Sequence, residues 1–183
     1  NEFYMVMAQG LEQACQTYGG CEFAMSFCGN GPAGYSTGYA HIIGTIVGAR
    51  HSHNSNAGYA IDQKALKQPM EPSQMVRELI REENWRYVLT SLVICMFARH
   101  VYDEAKVIEA LRAVGIERGS EEPLKMGSEI YQMAYEFKFR EGFSFNSIRI
   151  PDRVFDMPTS IGKLDRGVLL SMLDEYLRER FGR

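Results

Sequence analysis

Apolar residues recur at three-to-four spacing through the second half of the chain, the pattern of helices with one buried face. Asp165 predicts an N-cap, followed on one face by Val168, Leu169, Met172, Leu173, Tyr176 and Leu177. Ser120 ahead of Glu121, Glu122 and Pro123 predicts a second helix start, with a stop at Gly142 beyond Arg140. Asp103 opens another helix that should end by Gly115, and Pro72-Ser73 opens one running through Glu82. Residues 83–100 are mostly apolar and predict a long helix lying in the core. Strand patterning is limited to a brief alternation over residues 144–150, which then meets Pro151. The fold class read from this pattern is all-α and multihelical.

The first third differs. Residues 1–60 carry only Glu2, Glu12, Glu22 and Arg50 as charged groups, yet hold 10 of the 17 glycines. A stretch so poor in charge and rich in glycine either packs deep inside a larger body or brings backbone close to a ligand. This contrast predicts two parts: residues 1–68, a Gly-rich partial helical domain contributing to an active site, and residues 69–183, a helical domain. Residues 29–39 form the one long predicted loop, of a length that tends to be functional.

Composition narrows the function classes. The chain has 183 residues, 45% of them hydrophobic, enough for a real core. A net charge of -3 leaves no basic footprint for nucleic acid. The longest apolar run, residues 87–98, is too short to span a membrane. Cys15, Cys21, Cys28 and Cys95 show no framework spacing, which predicts reduced thiols and a cytoplasmic setting. A start at Asn1 rather than Met predicts a fragment or a processed product.

Few groups offer chemistry. Arg50-His51-Ser52-His53-Asn54 is the densest polar cluster of the weakly charged part, and imidazoles relay protons near neutral pH or bind metal. The same residues also read as ordinary histidines in a turn after a helix. Cys95, within Leu92-Val93-Ile94-Cys95-Met96-Phe97, reads either as a small buried hydrophobe or as a ligand. Thr90 and Ser91 can bond back to helix carbonyls. Glu82, Glu83, Glu121 and Glu122 are expected on solvated faces and caps. Gly29, Gly31 and Gly34 lack the spacing of a phosphate-cradling loop. A zinc site from His51, His53 and a cysteine is a further reading of the same residues.

The order of motifs resembles the carboxy-terminal half of the aldehyde:ferredoxin oxidoreductase family. Cys28-Gly29 stands where that family usually has Lys-Gly, and Tyr35-Ser36-Thr37-Gly38 where many members have Asp-Pro-Arg. Gly48-Ala49-Arg50-His51 resembles its Gly-Ala-x-His. The segment ending at Phe97 resembles Asp-x-x-Gly-Leu-Cys-x-Phe, with Thr90, Val93 and Ile94 at the Asp, Gly and Leu positions and Cys95 at the cysteine. Phe139-Arg140-Glu141-Gly142 resembles the end of Asn-x-Arg-Glu-Gly, and Ile150-Pro151-Asp152-Arg153 resembles Leu-Pro-x-Arg.

The resemblance implies a tungsten or molybdenum atom held by two pyranopterins, a [4Fe–4S] cluster beside it, and a carbonyl oxidation passing electrons to a ferredoxin-like acceptor. It implies His51 and His53 as active-site groups, with His51 as proton relay. Arg50, Thr90, Ser91 and Ile94 become pterin neighbours, and Cys95 becomes the ligand completing the cluster. A lone thiolate completes a four-cysteine cluster only when the rest come from elsewhere. The expected partners are therefore an absent amino-terminal pterin-platform domain or subunit, the electron acceptor, and a second copy in a homodimer. A non-catalytic helical interaction subunit derived from the same family is the alternative.

Overall fold

The computed structural model describes residues 1–52 and 55–182. Its helices are α1 (Glu2–Ala8), α2 (Leu11–Tyr18), α3 (Tyr39–Val47), α4 (Gly58–Lys67), α5 (Pro72–Ser91), α6 (Glu104–Ala113), α7 (Glu122–Arg140), α8 (Arg153–Asp156) and α9 (Arg166–Phe181). A short antiparallel pair, β1 (Pro158–Thr159) and β2 (Gly162–Lys163), joins α8 to α9. The all-α expectation holds. No described helix is long and apolar enough to cross a membrane.

Helix α3 is the buried axis, with every residue from Ala40 to Val47 buried. Its amino end takes its cap from another helix. Asp62 of α4 accepts the Ala40 and His41 N–H groups at 3.0 Å each and the Thr37 hydroxyl at 2.8 Å. A carboxylate here satisfies orphan donors and meets the positive end of the helix dipole. Burial nevertheless pushes the Asp62 carboxyl up to about 6, against the lowering effect of those same bonds.

Glycine content follows from close approach. A Cβ on Gly58 would lie 2.2 Å from the Ala40 carbonyl oxygen, and one on Gly127 would lie 2.0 Å from that of Asn84. These two positions let α4 close on α3 and α7 close on α5. The main core cluster draws on α3, α4, α5 and α9. A second, aromatic cluster gathers Tyr87, Tyr131 and Tyr135 with Phe139, Phe143, Phe145 and Phe181 around them.

The predicted caps at Asp103 and Asp165 form, each carboxylate accepting an N–H three residues on. The start predicted at Ser120 falls one residue later, with Glu121 as N-cap and the Glu122 carboxylate accepting the Gly119 N–H. Glu83 departs from its expected solvated face. It is 0% exposed, ion-paired with Arg180 at 3.1 Å and hydrogen-bonded by the Tyr176 hydroxyl at 2.5 Å. A helix periodicity cannot show a carboxylate that two side chains 93 and 97 residues away will meet.

The long helix expected over residues 83–100 is also corrected. One helix, α5, runs through the predicted break at residues 82 and 83 and stops at Ser91. Val93 then adopts φ 59, its N–H bonds the Thr90 carbonyl, and the Ile94 N–H reaches back to Leu89 at 2.9 Å. That pair of bonds is the Schellman ending of a helix, usually built on glycine. The ends of α6 and α7 use the same pair with Gly115 and Gly142 at the left-handed position. At α5 apolar composition hid the stop, because valine gives no turn signal.

The four-thiol expectation is overturned for two residues. Cys15 and Cys21 form a disulfide, with their Cα atoms 4.9 Å apart. The turn at Gly19-Gly20 doubles the chain back after α2 and brings them within bonding reach. Cys28 and Cys95 are free.

Two stability measurements follow. Left-handed valine is strained, so Val93→Gly should raise stability by about 1 kcal/mol in urea unfolding, the gain tempered by glycine's own entropy. A drop in stability would contradict the strained ending. For Asp62 the folded value exceeds the ordinary 3.8, so its contribution is complete below pH 3.8 and is lost as pH rises through about 6. Asp62→Asn stays neutral and should flatten that decline, whose full size is up to about 3 kcal/mol. Unfolding at successive pH values across this window checks it.

Candidate functional site

The tight turn Gly48-Ala49-Arg50-His51 closes with the His51 N–H on the Gly48 carbonyl at 2.8 Å. His51 itself is left-handed, with φ 46, which folds its ring back over the end of α3. Its Nδ1 lies 3.1 Å from the Thr45 carbonyl oxygen, and its Nε2 lies 2.7 Å from Lys138 Nζ. A carbonyl only accepts, so Nδ1 carries the proton and Nε2 presents a lone pair to the lysine. The His51 side chain is nearly enclosed, 7% exposed. Burial first, and then the Lys138 charge, lower its pKa.

Lys138 reaches the histidine because α7 is pinned to α3. The Tyr131 and Tyr135 hydroxyls both donate to the Val47 carbonyl, at 2.6 and 2.5 Å. Lys138 is the next turn of α7, and the helix ending at Gly142 folds Phe143 back beside it through a Phe143 N–H bond to the Lys138 carbonyl. The ammonium lies 3.8 Å from the Phe143 ring centroid and 4.6 Å from that of Tyr135. Burial lowers the Lys138 pKa to about 8, partly offset by Cys28.

Cys28 lies within charge range of Lys138. Cys28 and Gly29, both with positive φ, are the centre of a two-residue turn in which Phe27 and Asn30 exchange backbone bonds. Burial raises the Cys28 thiol pKa, against the lowering effect of Lys138. Glu12 braces this turn, its carboxylate accepting the Ser26 hydroxyl and the Gly29 N–H. Cys28 thus occupies the lysine position of the resembled pattern, while an actual lysine arrives from α7.

The other predicted residues collect at the end of α5. Arg50 is exposed and stands over the Tyr87 ring, 5.7 Å from its centroid. The Thr90 hydroxyl bonds back to the Arg86 carbonyl at 2.8 Å and lies 3.2 Å from that of Tyr87. Arg50 and Thr90 therefore flank one tyrosine. Ser91 is exposed and Ile94 half-buried against Val88 and Leu89. Cys95 leaves the core helix in which its apolar neighbours placed it. It is exposed, starting a short 3-10 turn (Met96–Ala98) just past the Val93 reversal. Val93 and Phe97 beside it are 91% and 95% exposed. The thiol sits in an open apolar patch.

His53 lies outside the described residues. Among the described residues no hydrogen bond or ring contact joins His51 to Cys95, and no group of three His, Cys, Asp or Glu could hold a metal ion. The donor set fits one corner of a cluster and no more: one accessible thiol. Sequence reasoning missed Lys138 and Cys28 as a pair. Their traces are a lysine set, with Arg140, among Tyr135, Phe137, Phe139 and Phe143, and a cysteine at a position where the resembled pattern has lysine.

The predicted loop over residues 29–39 gives way to α3 at Tyr39. Its residues Gly31 to Ser36 wall a cleft of about 370 Å³ with His41, Ile42, Arg153 and Met157.

No curated protein and no solved structure matches the chain. The family described as "Aldehyde ferredoxin oxidoreductase, domains 2 & 3" matches residues 1–180. With nearly the whole chain matched and an all-helical fold in place, this chain belongs to the aldehyde ferredoxin oxidoreductase family and represents its second and third domains.

Proposed function

We propose that the chain forms the helical side of a tungsten- or molybdenum-pterin oxidoreductase. Its partner is an amino-terminal pterin platform, as a further domain or a separate subunit. The reaction is oxidation of an aldehyde or related carbonyl compound to a carboxylic acid, with water supplying the oxygen and two electrons and two protons released. Electrons leave through a [4Fe–4S] cluster to ferredoxin or a similar acceptor. The bound metal–pterin group supplies the two-electron oxidation, as is general for cofactor enzymes.

One observation carries this reading: Cys95 is held outside the core, on a helix ending that accepts strain at Val93 to put it there. A structural cysteine would be expected to pack inside. An exposed thiol in an apolar patch suits a ligand that a second body covers. In the complete protein Cys95 would hold one iron. Arg50, Thr90, Ser91 and Ile94 would neighbour a pterin, with the Arg50 guanidinium available to a phosphate. His51, with His53 two residues on, would belong to the proton-transfer side of the site.

A non-catalytic interaction subunit is the second reading. It is favoured by α1, which buries no residue and exposes Phe3, Tyr4, Met5 and Met7. That surface equally suits the platform or a second copy of the chain.

Elemental analysis of the complete protein, prepared without oxygen, separates the two. We expect tungsten or molybdenum together with iron. Cys95→Ser should lose the reduced-cluster paramagnetic signal while keeping its helical circular dichroism. Absence of all three metals, or an unchanged signal in Cys95→Ser, would reject the enzyme reading in this form.

A further inference from the structure

We propose that the group exchanging protons at this site is the Lys138 amine, with His51 acting through it as a positioning residue. The inference rests on the function proposed above for its reaction, but its geometry does not.

His51 has no free nitrogen. Nδ1–H is committed to the Thr45 carbonyl and Nε2 accepts from Lys138. The ring is almost fully enclosed. Anything outside that exchanges a proton with this pair must do so through Lys138 Nζ, which is half-buried and keeps valences beyond the one spent on His51. Protonating the ring instead would set a second positive charge 2.7 Å from the first. The fixed tautomer of His51 therefore aims the lysine rather than doing its work.

The surroundings suit an amine that loses its proton. No carboxylate among the described residues forms an ion pair with Lys138. Its near neighbours are the Tyr135 and Phe143 rings, the Cys28 thiol and the neutral imidazole. The Tyr135 hydroxyl is spent on Val47, and Glu12 accepts Ser26 and Gly29 through Oε1 and forms no ion pair with Lys138 among the described residues. A half-buried ammonium without a counterion deprotonates well below the usual lysine range, here at about 8. Oxidising a carbonyl with water frees two protons and two electrons. The neutral amine takes these protons one at a time, each time becoming ammonium and returning the proton to bulk water, while the electrons leave by the cluster route.

Two readouts on the complete protein test this without any turnover. Amine acylation with acetic anhydride, followed peptide by peptide across pH, should show Lys138 half-reactive near pH 8. Exposed Lys125 and Lys163 serve as the reference amines in the same digests. The His51 imidazole nitrogen resonances should titrate below the ordinary histidine midpoint of about 6.5, and Lys138→Met should raise the ring's titration midpoint. An ordinary midpoint for Lys138, or a His51 titration unmoved by Lys138→Met, would overturn the proposal. In turnover, Lys138→Met and Lys138→Arg should each lower kcat on the order of a hundredfold. KM should change little, and the limb of the pH profile near 8 should vanish. A limb that survives in both variants but is lost in His51→Asn would return the role to the histidine. Metal-free protein with intact acylation and resonance results would remove only the redox reading.

Discussion

The Val47 carbonyl is the point on which the arrangement turns. It belongs to the last turn of α3, where carbonyls lose their helical partners and become costly if buried. Two hydroxyls from successive turns of α7 satisfy it. Each neutral bond contributes only about 1 kcal/mol net, but leaving the group unpaired would cost more. Because α3 is enclosed on nearly every side, water cannot substitute. This requirement locks the register of α7 against α3, and that register delivers Lys138 to His51.

The same tyrosines tie the site to the rest of the molecule. Tyr131 meets the Tyr176 hydroxyl at 3.0 Å, and Tyr176 bonds Glu83, which pairs with Arg180. Burial raises the Glu83 pKa, opposed by Arg180 and the Tyr176 bond. A carboxylate so enclosed stays compatible with folding only while paired and hydrogen-bonded. The network joins α5, α7 and α9 through polar contacts that demand one alignment, whereas apolar packing tolerates several. Around it pack the Phe139, Phe143, Phe145 and Phe181 rings, and Phe143 and Tyr135 lie against Lys138. They shield the amine from water while leaving it partly open.

Two candidate sites of different character result. The His51–Lys138 pair is preorganised inside the chain. Cys95 is instead presented outward, on an ending whose backbone strain is carried by Val93 and whose surroundings are apolar and uncovered. Strain and exposed apolar surface together are unusual in a finished body. They are natural where another polypeptide completes the structure.

Sequence alone determined the class of fold, because helical periodicity and the Asp103 and Asp165 caps are local and need no partner. It also singled out Cys95 and His51 and, through the order of motifs, the family. It misjudged what depends on distant groups. Glu83 looked solvated because its partners lie in α9, and the end of α5 was invisible because Val93 is no helix breaker. The proximity of Cys15 and Cys21 came from a two-glycine reversal. Nothing in the sequence marked Lys138 as a partner of His51. Only the tertiary structure could bring it to His51, because the contact spans 87 residues and is created by two tyrosine hydroxyls satisfying one buried carbonyl.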